Sequence, residues 1–262
     1  EDFSDGTASV NDCLRPVSRY FDRIVRPEQL LTALPRAIRA LTDPALCGPV
    51  TLALPQDVQA EAYDFPASFF EPREIVFRAP QPTDDELMAA LDAIEAAERP
   101  VIVAGGGALY ARATPELMAF AEKHGVPVCE TQAGKGALPW NHPLHLGPAG
   151  VCGSTAANGL LPEADLVIAV GTRLQDFTTG SNTLFRHVPI LSINVNAFDA
   201  LKGDGLEVIG DAAQVLDDLS FGLEDWAAPE AWTERARVAA GVWVDTVSRI
   251  TERREAPPRR GS

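Results

Sequence analysis

The sequence predicts an α/β protein whose central part is a Rossmann-like parallel sheet with helices on both faces. Two short apolar runs, Val101–Ala104 and Leu166–Val170, have the length of buried strands. Helical segments alternate with such runs along residues 83–222, which is the pattern of successive βα units. Strands this apolar are covered on both faces, as in a parallel sheet with right-handed crossovers.

The first part of the chain, residues 1–62, predicts an incomplete α/β segment. Leucine and isoleucine recur at helical spacing across Pro27–Leu41, where Pro35 is expected to kink or shorten the helix. Val50–Leu54 is predicted to be a strand because prolines flank it. One helix and one strand cannot bury each other's apolar faces, so we expect these residues to end a domain that begins upstream. The start at Glu1 instead of Met is consistent with a truncated or processed product.

A linker rich in proline and aromatic residues is predicted over residues 63–82, and the Rossmann-like domain over residues 83–222. That domain opens on the capping box Thr83–Glu86, and its first helix is expected to reach about Glu98. After the strand Val101–Ala104, Gly105–Gly107 is expected to form the turn. The other predicted strands are Val126–Cys129, Leu166–Val170, Ile190–Val195 and Glu207–Ile209, and the other predicted helices begin at Thr114 and cover about Ser154–Leu161 and Ala212–Leu219.

The last part, residues 223–262, is predicted to hold a linker helix over about Glu230–Thr251, followed by a disordered tail rich in arginine and proline. The formal net charge of −15 argues against nucleic acid as a partner. No stretch has the length and hydropathy of a membrane helix, so no membrane partner is expected. The four cysteines lie far apart without a CxxC pair, as in proteins of the reducing cytoplasm.

The first candidate site is the glycine turn of Gly105, Gly106 and Gly107. Glycines after a first strand can let the backbone approach a diphosphate closely. The third glycine of a G-x-G-x-x-G pattern is absent, because Tyr110 occupies that position. Glu130, at the end of the second strand, lies where a ribose-binding acid is expected. The alternative is that the glycines only make the turn tight.

The second candidate is Arg173, which follows the strand Leu166–Val170. Ligands of open α/β sheets bind beyond the carboxyl ends of the strands, and a guanidinium group suits a phosphate or carboxylate there. The alternative is that Arg173 braces a neighbouring loop through Asp176 or through main-chain carbonyl groups.

Two further patterns are not predicted to be metal sites. Gly203-Asp204-Gly205 resembles the start of a magnesium and diphosphate loop, but the asparagines that would complete it are missing from residues 223–233. None of the four histidines has a metal-ligand partner at useful spacing. His142 and His145 lie in a proline-flanked loop where they can touch a ligand, although packing within the loop is the simpler interpretation.

Three segments together resemble the acetolactate-synthase-like family of thiamine-diphosphate-dependent enzymes. Gly48–Val58 is similar to the end of the pyrimidine-binding domain of that family, which residues 1–62 would then represent. Arg99–Gly107 is similar to the start of its central domain, and Ala164–Arg173 to the third strand and Gly-x-Arg turn of that domain. The order and spacing of the segments make the resemblance specific.

Finer details resemble one branch of the family, the hydrolases that cleave a C–C bond of a cyclic 1,2-dione in myo-inositol catabolism. The segments that carry this resemblance are Arg15–Ile24, Glu130–Gly136 and Leu174–Gly180. It implies an intact homo-oligomeric enzyme, a dimer or tetramer, which acts on a small polyhydroxy cyclic dione. Thiamine diphosphate and Mg²⁺ would be its cofactors, the thiazolium ylide attacking a ring carbonyl.

The resemblance also implies that parts of such an enzyme lie outside this chain. The activating glutamate of the family would precede Glu1, and the diphosphate and magnesium loop would follow Ser262. We therefore assign no catalytic residue, and we expect the chain alone to be inactive and to bind neither cofactor. In flavin-binding relatives a Met-His-Gly turn is present, where this chain has Val151-Cys152-Gly153; nucleotide or flavin binding by the central domain is left open. The alternatives are a stand-alone nucleotide-binding module, a carboligase fragment and a purely structural spacer.

Overall fold

The computed structural model describes residues 4, 7, 9–202 and 205–252. The chain forms two compact units, Glu1–Ala79 and Pro80–Ser262. The predicted tail after residue 252 and the pair Gly203-Asp204 lie outside the described residues. Within the described part of the chain, no helix has the length and apolar character needed to cross a membrane.

The first unit is a small two-stranded parallel sheet with one long helix. Its strands are β1 (Tyr20–Arg23) and β2 (Val50–Ala53), its helices are α1 (Leu30–Thr42) and α2 (Gln56–Gln59), and its 3-10 turns are Val10–Val17, Pro27–Gln29 and Ala67–Phe69. Tyr20 is opposite Val50 in the parallel register. The buried core consists of Ile24, Ala33 and Val58. This core is small because most apolar side chains of the unit are at least partly exposed.

Several details of the first unit differ from the sequence prediction: α1 begins at Leu30 instead of Pro27, and β2 ends at Ala53 instead of Leu54. The strand β1 was not predicted, because its four residues include Asp22 and Arg23 and show little apolar alternation. Pro35 does not shorten α1, which continues through it to Thr42. A proline in a helix removes one backbone hydrogen bond, and here the apolar residues of α1 still pack on the sheet, so the helix persists.

The second unit is a six-stranded parallel sheet with helices on both faces, as the sequence predicted. The strand order is β5-β4-β3-β6-β7-β8. The strands are β3 (Pro100–Ala104), β4 (Val128–Glu130), β5 (His145–Pro148), β6 (Leu166–Val170), β7 (Ile190–Asn194) and β8 (Leu206–Ile209). The helices are α3 (Asp84–Glu95), α4 (Gly106–Tyr110), α5 (Thr114–His124), α6 (Thr155–Leu160), α7 (Asp176–Thr179), α8 (Ala197–Ala200), α9 (Ala212–Gly222) and α10 (Glu230–Thr251).

Each face of this sheet has its own buried cluster. Ile102 and Ile168 point to the face covered by α3, α5 and α9, and Val101 and Val167 point to the face covered by α6 and α10. This alternation explains why the strands are apolar without interruption. The predicted capping box is present, since the Thr83 hydroxyl accepts from the Glu86 amide and the Glu86 carboxylate accepts from the Thr83 amide.

Several bounds differ from the prediction. Helix α3 ends at Glu95 instead of Glu98, and β4 begins at Val128 because Pro127, which has no N–H, precedes it. The strand β5 was not predicted, since His145–Pro148 contains a glycine and a proline. The predicted helix Glu230–Thr251 is present, but it packs against β5 and α6 instead of lying beyond the central domain.

Candidate functional site

The strand order places a switch point between β3 and β6, and the region at the carboxyl ends of these two strands is called the crevice below, after its position in doubly wound folds. The chain runs outward from β3 through β4 to β5 and then returns to the other side of β3 at β6. The loops on either side of such a switch point diverge, and ligands of doubly wound folds bind there. Gly105–Gly107 follows β3 and Gly171–Arg173 follows β6. The structure therefore brings both candidate sites of the sequence to the same crevice.

The glycine turn is closed against the neighbouring turn by backbone contacts. The Gly105 amide donates to the Val170 carbonyl and the Gly107 amide to the Gly171 carbonyl, both at 2.8 Å. A Cβ atom on Gly105 would lie 2.4 Å from the Gly171 oxygen, and one on Gly107 would lie 2.6 Å from the Gly171 Cα. These glycines are required by the close approach of two turns, and their amides are engaged inside the protein.

This geometry favours the simpler of the two interpretations for Gly105 and Gly107, in which the glycines make the turn tight. Gly106 begins the five-residue helix α4, and a Cβ atom on it would lie 3.2 Å from the Ala133 Cβ. The loop after β4 therefore borders the glycine turn on the side opposite β6. A phosphate role for the three glycines stays a prediction.

Arg173 is exposed and makes no hydrogen bond or ion pair with any residue that the structure describes. The bracing contact with Asp176 is not formed, since that carboxylate accepts from the Ser181 hydroxyl at 3.3 Å. The turn itself is well fixed, because the buried Thr172 carbonyl accepts from the Asn194 side chain. The next residue, Leu174, has a φ of +44°. A non-glycine residue in this region is strained, and such strain is concentrated at functional sites.

Glu130, which lies where the sequence predicts a ribose-binding acid, already has partners within the protein. One of its carboxylate oxygens, Oε1, accepts from the amides of Gly136 and Leu138, both at 3.0 Å. The other, Oε2, lies 3.3 Å from His145 Nε2. Both side chains are buried, with about 6% of Glu130 and 10% of His145 exposed. The carboxylate is therefore committed to its own loop and to β5 instead of being available to a ribose.

The surroundings set the ionisation of Glu130. Burial on its own raises the pKa of this carboxyl group, but His145 and the amides of Leu138 and Gly136 outweigh burial and hold the pKa below its ordinary value. Glu130 is therefore an anion at neutral pH. The pairing with His145 was not foreseen, because β5 was not predicted and the two side chains meet only when β4 and β5 are neighbours.

The other loop histidine packs within the protein. His142 Nδ1 accepts from the Leu144 amide at 3.2 Å, and Nε2 lies 3.2 Å from a Glu122 oxygen. His124 is fully buried, and His187 is exposed. Within the described ranges, no group of three or more His, Cys, Asp or Glu side chains could hold a metal ion. We assign no catalytic step to the described residues.

Comparison with known proteins gives one family and a set of relatives. The family model for the central domain of thiamine pyrophosphate enzymes matches residues 87–219. A protein of Clostridium perfringens strain ATCC 13124 is 44% identical over 93% of this chain and 38% of its own length. One of Geobacillus thermodenitrificans is 44% identical over 94% and 38%, and one of Bacillus cereus strain AH820 is 46% identical over 95% and 39%. All three are called 3D-(3,5/4)-trihydroxycyclohexane-1,2-dione hydrolase. The chain thus spans less than two fifths of the length of these relatives.

Proposed function

Because the chain belongs to the thiamine pyrophosphate enzymes, whose central domain it contains, we propose that it is part of a hydrolase that acts on 3D-(3,5/4)-trihydroxycyclohexane-1,2-dione. The observation that carries this proposal is the identity of 44–46% to hydrolases of that name. It extends over 93–95% of the chain, and so includes residues on both sides of the central domain.

In this proposal the chain supplies structure and not the reacting groups. Residues 1–62 would be the end of a pyrimidine-binding domain, and residues 83–222 the core of the central domain. Thiamine diphosphate and Mg²⁺ would be held elsewhere in the intact enzyme. Two observations support this division of roles. The amides of Gly105 and Gly107 donate to carbonyl groups of the neighbouring turn, so they are not free for a diphosphate. The first unit has a small core, as expected of the end of a larger domain. The intact enzyme would be a cytoplasmic homo-oligomer, a dimer or tetramer.

The test is an assay of the longer protein that contains this chain. With thiamine diphosphate and Mg²⁺, it should consume the cyclic dione, followed by NMR as loss of the ring signals. Omission of thiamine diphosphate should abolish the reaction. Calorimetry of the chain alone with both cofactors should show no binding heat. Turnover of pyruvate to acetolactate in place of the dione would identify a carboligase and contradict the proposal.

A second candidate function is the binding of an adenine nucleotide or flavin in the crevice. It is favoured by one observation: Arg173 is exposed at the switch point and has no ion-pair partner in the described chain. A hydrogen bond to a charged group contributes about 1.5–3 kcal/mol. Replacement of Arg173 by alanine should therefore weaken binding by roughly 10- to 150-fold.

Fluorescence titrations with ADP, NAD and FAD would measure this. Arg186 is a matched control, since it is an exposed arginine on the segment between α7 and β7. Arg186→Ala should leave the affinity unchanged. Absent or millimolar binding of all three ligands would mean that the central domain acts as a scaffold, and would remove Gly105, Gly106, Gly107 and Arg173 as binding residues.

A further inference from the structure

We propose that Glu130 is a positioning residue: its carboxylate holds the loop of residues 131–138 against the glycine turn and so presents Lys135 at the edge of the crevice. The clamp rests on contacts within the second unit. The role of Lys135 toward a ligand rests on the nucleotide proposal above, and the two are tested by separate measurements.

The loop is bound at both of its ends. At its start, the Thr131 amide donates to the Ala104 carbonyl at 2.9 Å, which fixes the loop to the end of β3. At its far end, the amides of Gly136 and Leu138 converge on the same oxygen of Glu130. Gly136 has a φ of +94°, a conformation that glycine adopts readily, and this reverses the chain so that both amides face inward.

Lys135 lies between two fixed points of this loop. Gly134, on one side, packs so tightly that a Cβ atom there would lie 2.2 Å from the Ala104 carbonyl oxygen. Gly136, on the other side, is held by Glu130. The Lys135 side chain is exposed. Because β4 and β6 flank β3, Lys135 and Arg173 follow the two strands on either side of the glycine turn.

Charge makes Glu130 suited to this role. Hydrogen bonds to an ionised acceptor are roughly twice as strong as neutral ones. His145 on β5 lies beside the carboxylate and Cys129 precedes it on β4, whereas β3 carries only apolar side chains and Lys135 is the charged residue in the sequence of the loop itself. Burial raises the pKa of the Cys129 thiol far above neutrality, so Cys129 carries no charge. The His145 ring faces the second oxygen of Glu130, with Nε2 at 3.3 Å.

The test is amide hydrogen exchange followed by NMR. Replacement of Glu130 by glutamine keeps an acceptor oxygen and removes the charge. The protection factors of the Gly136 and Leu138 amides should fall by about tenfold, which corresponds to about 1.4 kcal/mol, while amides in α5 and β7 keep theirs. The matched control is Glu122→Gln, which removes a carboxylate that is about 60% exposed and contacts His142. It should leave both loop amides unchanged. Equal protection in wild type and Glu130→Gln, or a uniform loss across the sheet, would overturn the clamp.

A pH profile of the wild-type protein provides a second readout that does not depend on the folding of the variant. The clamp should hold at and above the ordinary pKa of a glutamate. It should be lost as the pH falls through the lower pKa of folded Glu130, so that the Glu130 carboxyl carbon and the two amides titrate together. Independent titration of the amides would contradict the proposal.

For the ligand, Glu130→Gln and Lys135→Ala should each weaken ADP binding. If ADP does not bind the wild type, the nucleotide proposal fails, whereas the exchange result still decides the clamp.

Discussion

Among single residues, His124 has an environment that two hydrogen bonds define. Its ring is fully buried, with Nδ1 at 2.6 Å from the Trp226 carbonyl oxygen and Nε2 at 3.1 Å from the Ser220 hydroxyl. A ring nitrogen this close to a carbonyl oxygen must carry the proton, so Nδ1 donates and Nε2 accepts from the hydroxyl. The neutral ring therefore joins the end of α5 to α9 and to the segment before α10.

This environment predicts a pH dependence of stability. Burial lowers the pKa of His124, an effect that the Trp226 carbonyl only partly offsets. Below about pH 6.5, the folded state then binds fewer protons at this histidine than the unfolded state does. The contribution of His124 to the free energy of unfolding is therefore fully present above that pH, and it decreases as the pH falls through the lower pKa of the folded state. Urea unfolding at pH 7.5 and 5.0 should show this loss, and His124→Gln should reduce it. His187→Gln, at an exposed histidine, should retain the full loss; an equal effect of both variants would contradict the assignment.

Single-residue features were predictable where they depend on position along a strand. Gly105 and Arg173 follow apolar runs, and this alone places them at the crevice. The commitment of Glu130 was not predictable, because it depends on how the following loop folds back and on a neighbouring strand that the pattern did not indicate. A hydrogen bond between residues that are distant in sequence can be predicted only when the fold is already known.

At the scale of elements, α10 illustrates what a helical pattern can and cannot predict. The apolar periodicity predicted Glu230–Thr251, which are the bounds of the helix. The pattern could not identify the surface on which the helix packs. The stripe of Trp232, Ala236 and Ala240 is buried against the sheet, and the Trp232 indole N–H donates to the Pro100 carbonyl at 3.0 Å. The helix thus covers one face of the sheet instead of leading away from it.

Loss of this anchor should destabilise the second unit. Replacement of a buried Trp by alanine costs about 3–5 kcal/mol, and Trp232→Ala also leaves the Pro100 carbonyl without its donor. The free energy of unfolding, measured by urea titration with circular dichroism, should fall by this amount. Val238 lies on the same helix and is 58% exposed. Val238→Ala should change the free energy by less than about 0.5 kcal/mol; because alanine is the best helix former, a comparable loss in both variants would show that the burial of Trp232 is not the cause.

The two strands that sequence analysis missed are short and lack an apolar pattern. β1 and β5 have four residues each, with charged residues in the first and a glycine and a proline in the second. Neither shows apolar alternation, and each is a strand because a neighbouring strand completes its hydrogen bonds. Such strands are specified by their partners and not by their own residues.

At the scale of the whole molecule, the two units differ in how much core they contain. The second unit buries two extended clusters, one on each face of its sheet. The first has Ile24, Ala33 and Val58 as its buried cluster and a sheet of two strands. Its helix α1 exposes Leu41 by about half. A two-stranded sheet with so small a core is marginally stable on its own.

This difference predicts the order of proteolytic cleavage. Local opening is easiest where few apolar contacts are buried, so trypsin should cut the chain within residues 1–82 before it cuts within residues 83–222. Arginines are present in both regions, which makes the comparison fair. Mass spectrometry of a time course would identify the first fragments, and light scattering of the uncut chain would give its mass in solution. If residues 1–60 resist longest and the chain is a dimer, the first unit pairs with a second copy of itself. Each strand of its sheet has one edge without a partner in the described chain, and such edges invite pairing. Early cleavage in a monomer would instead support the proposal that these residues complete a domain whose other strands lie elsewhere in the enzyme.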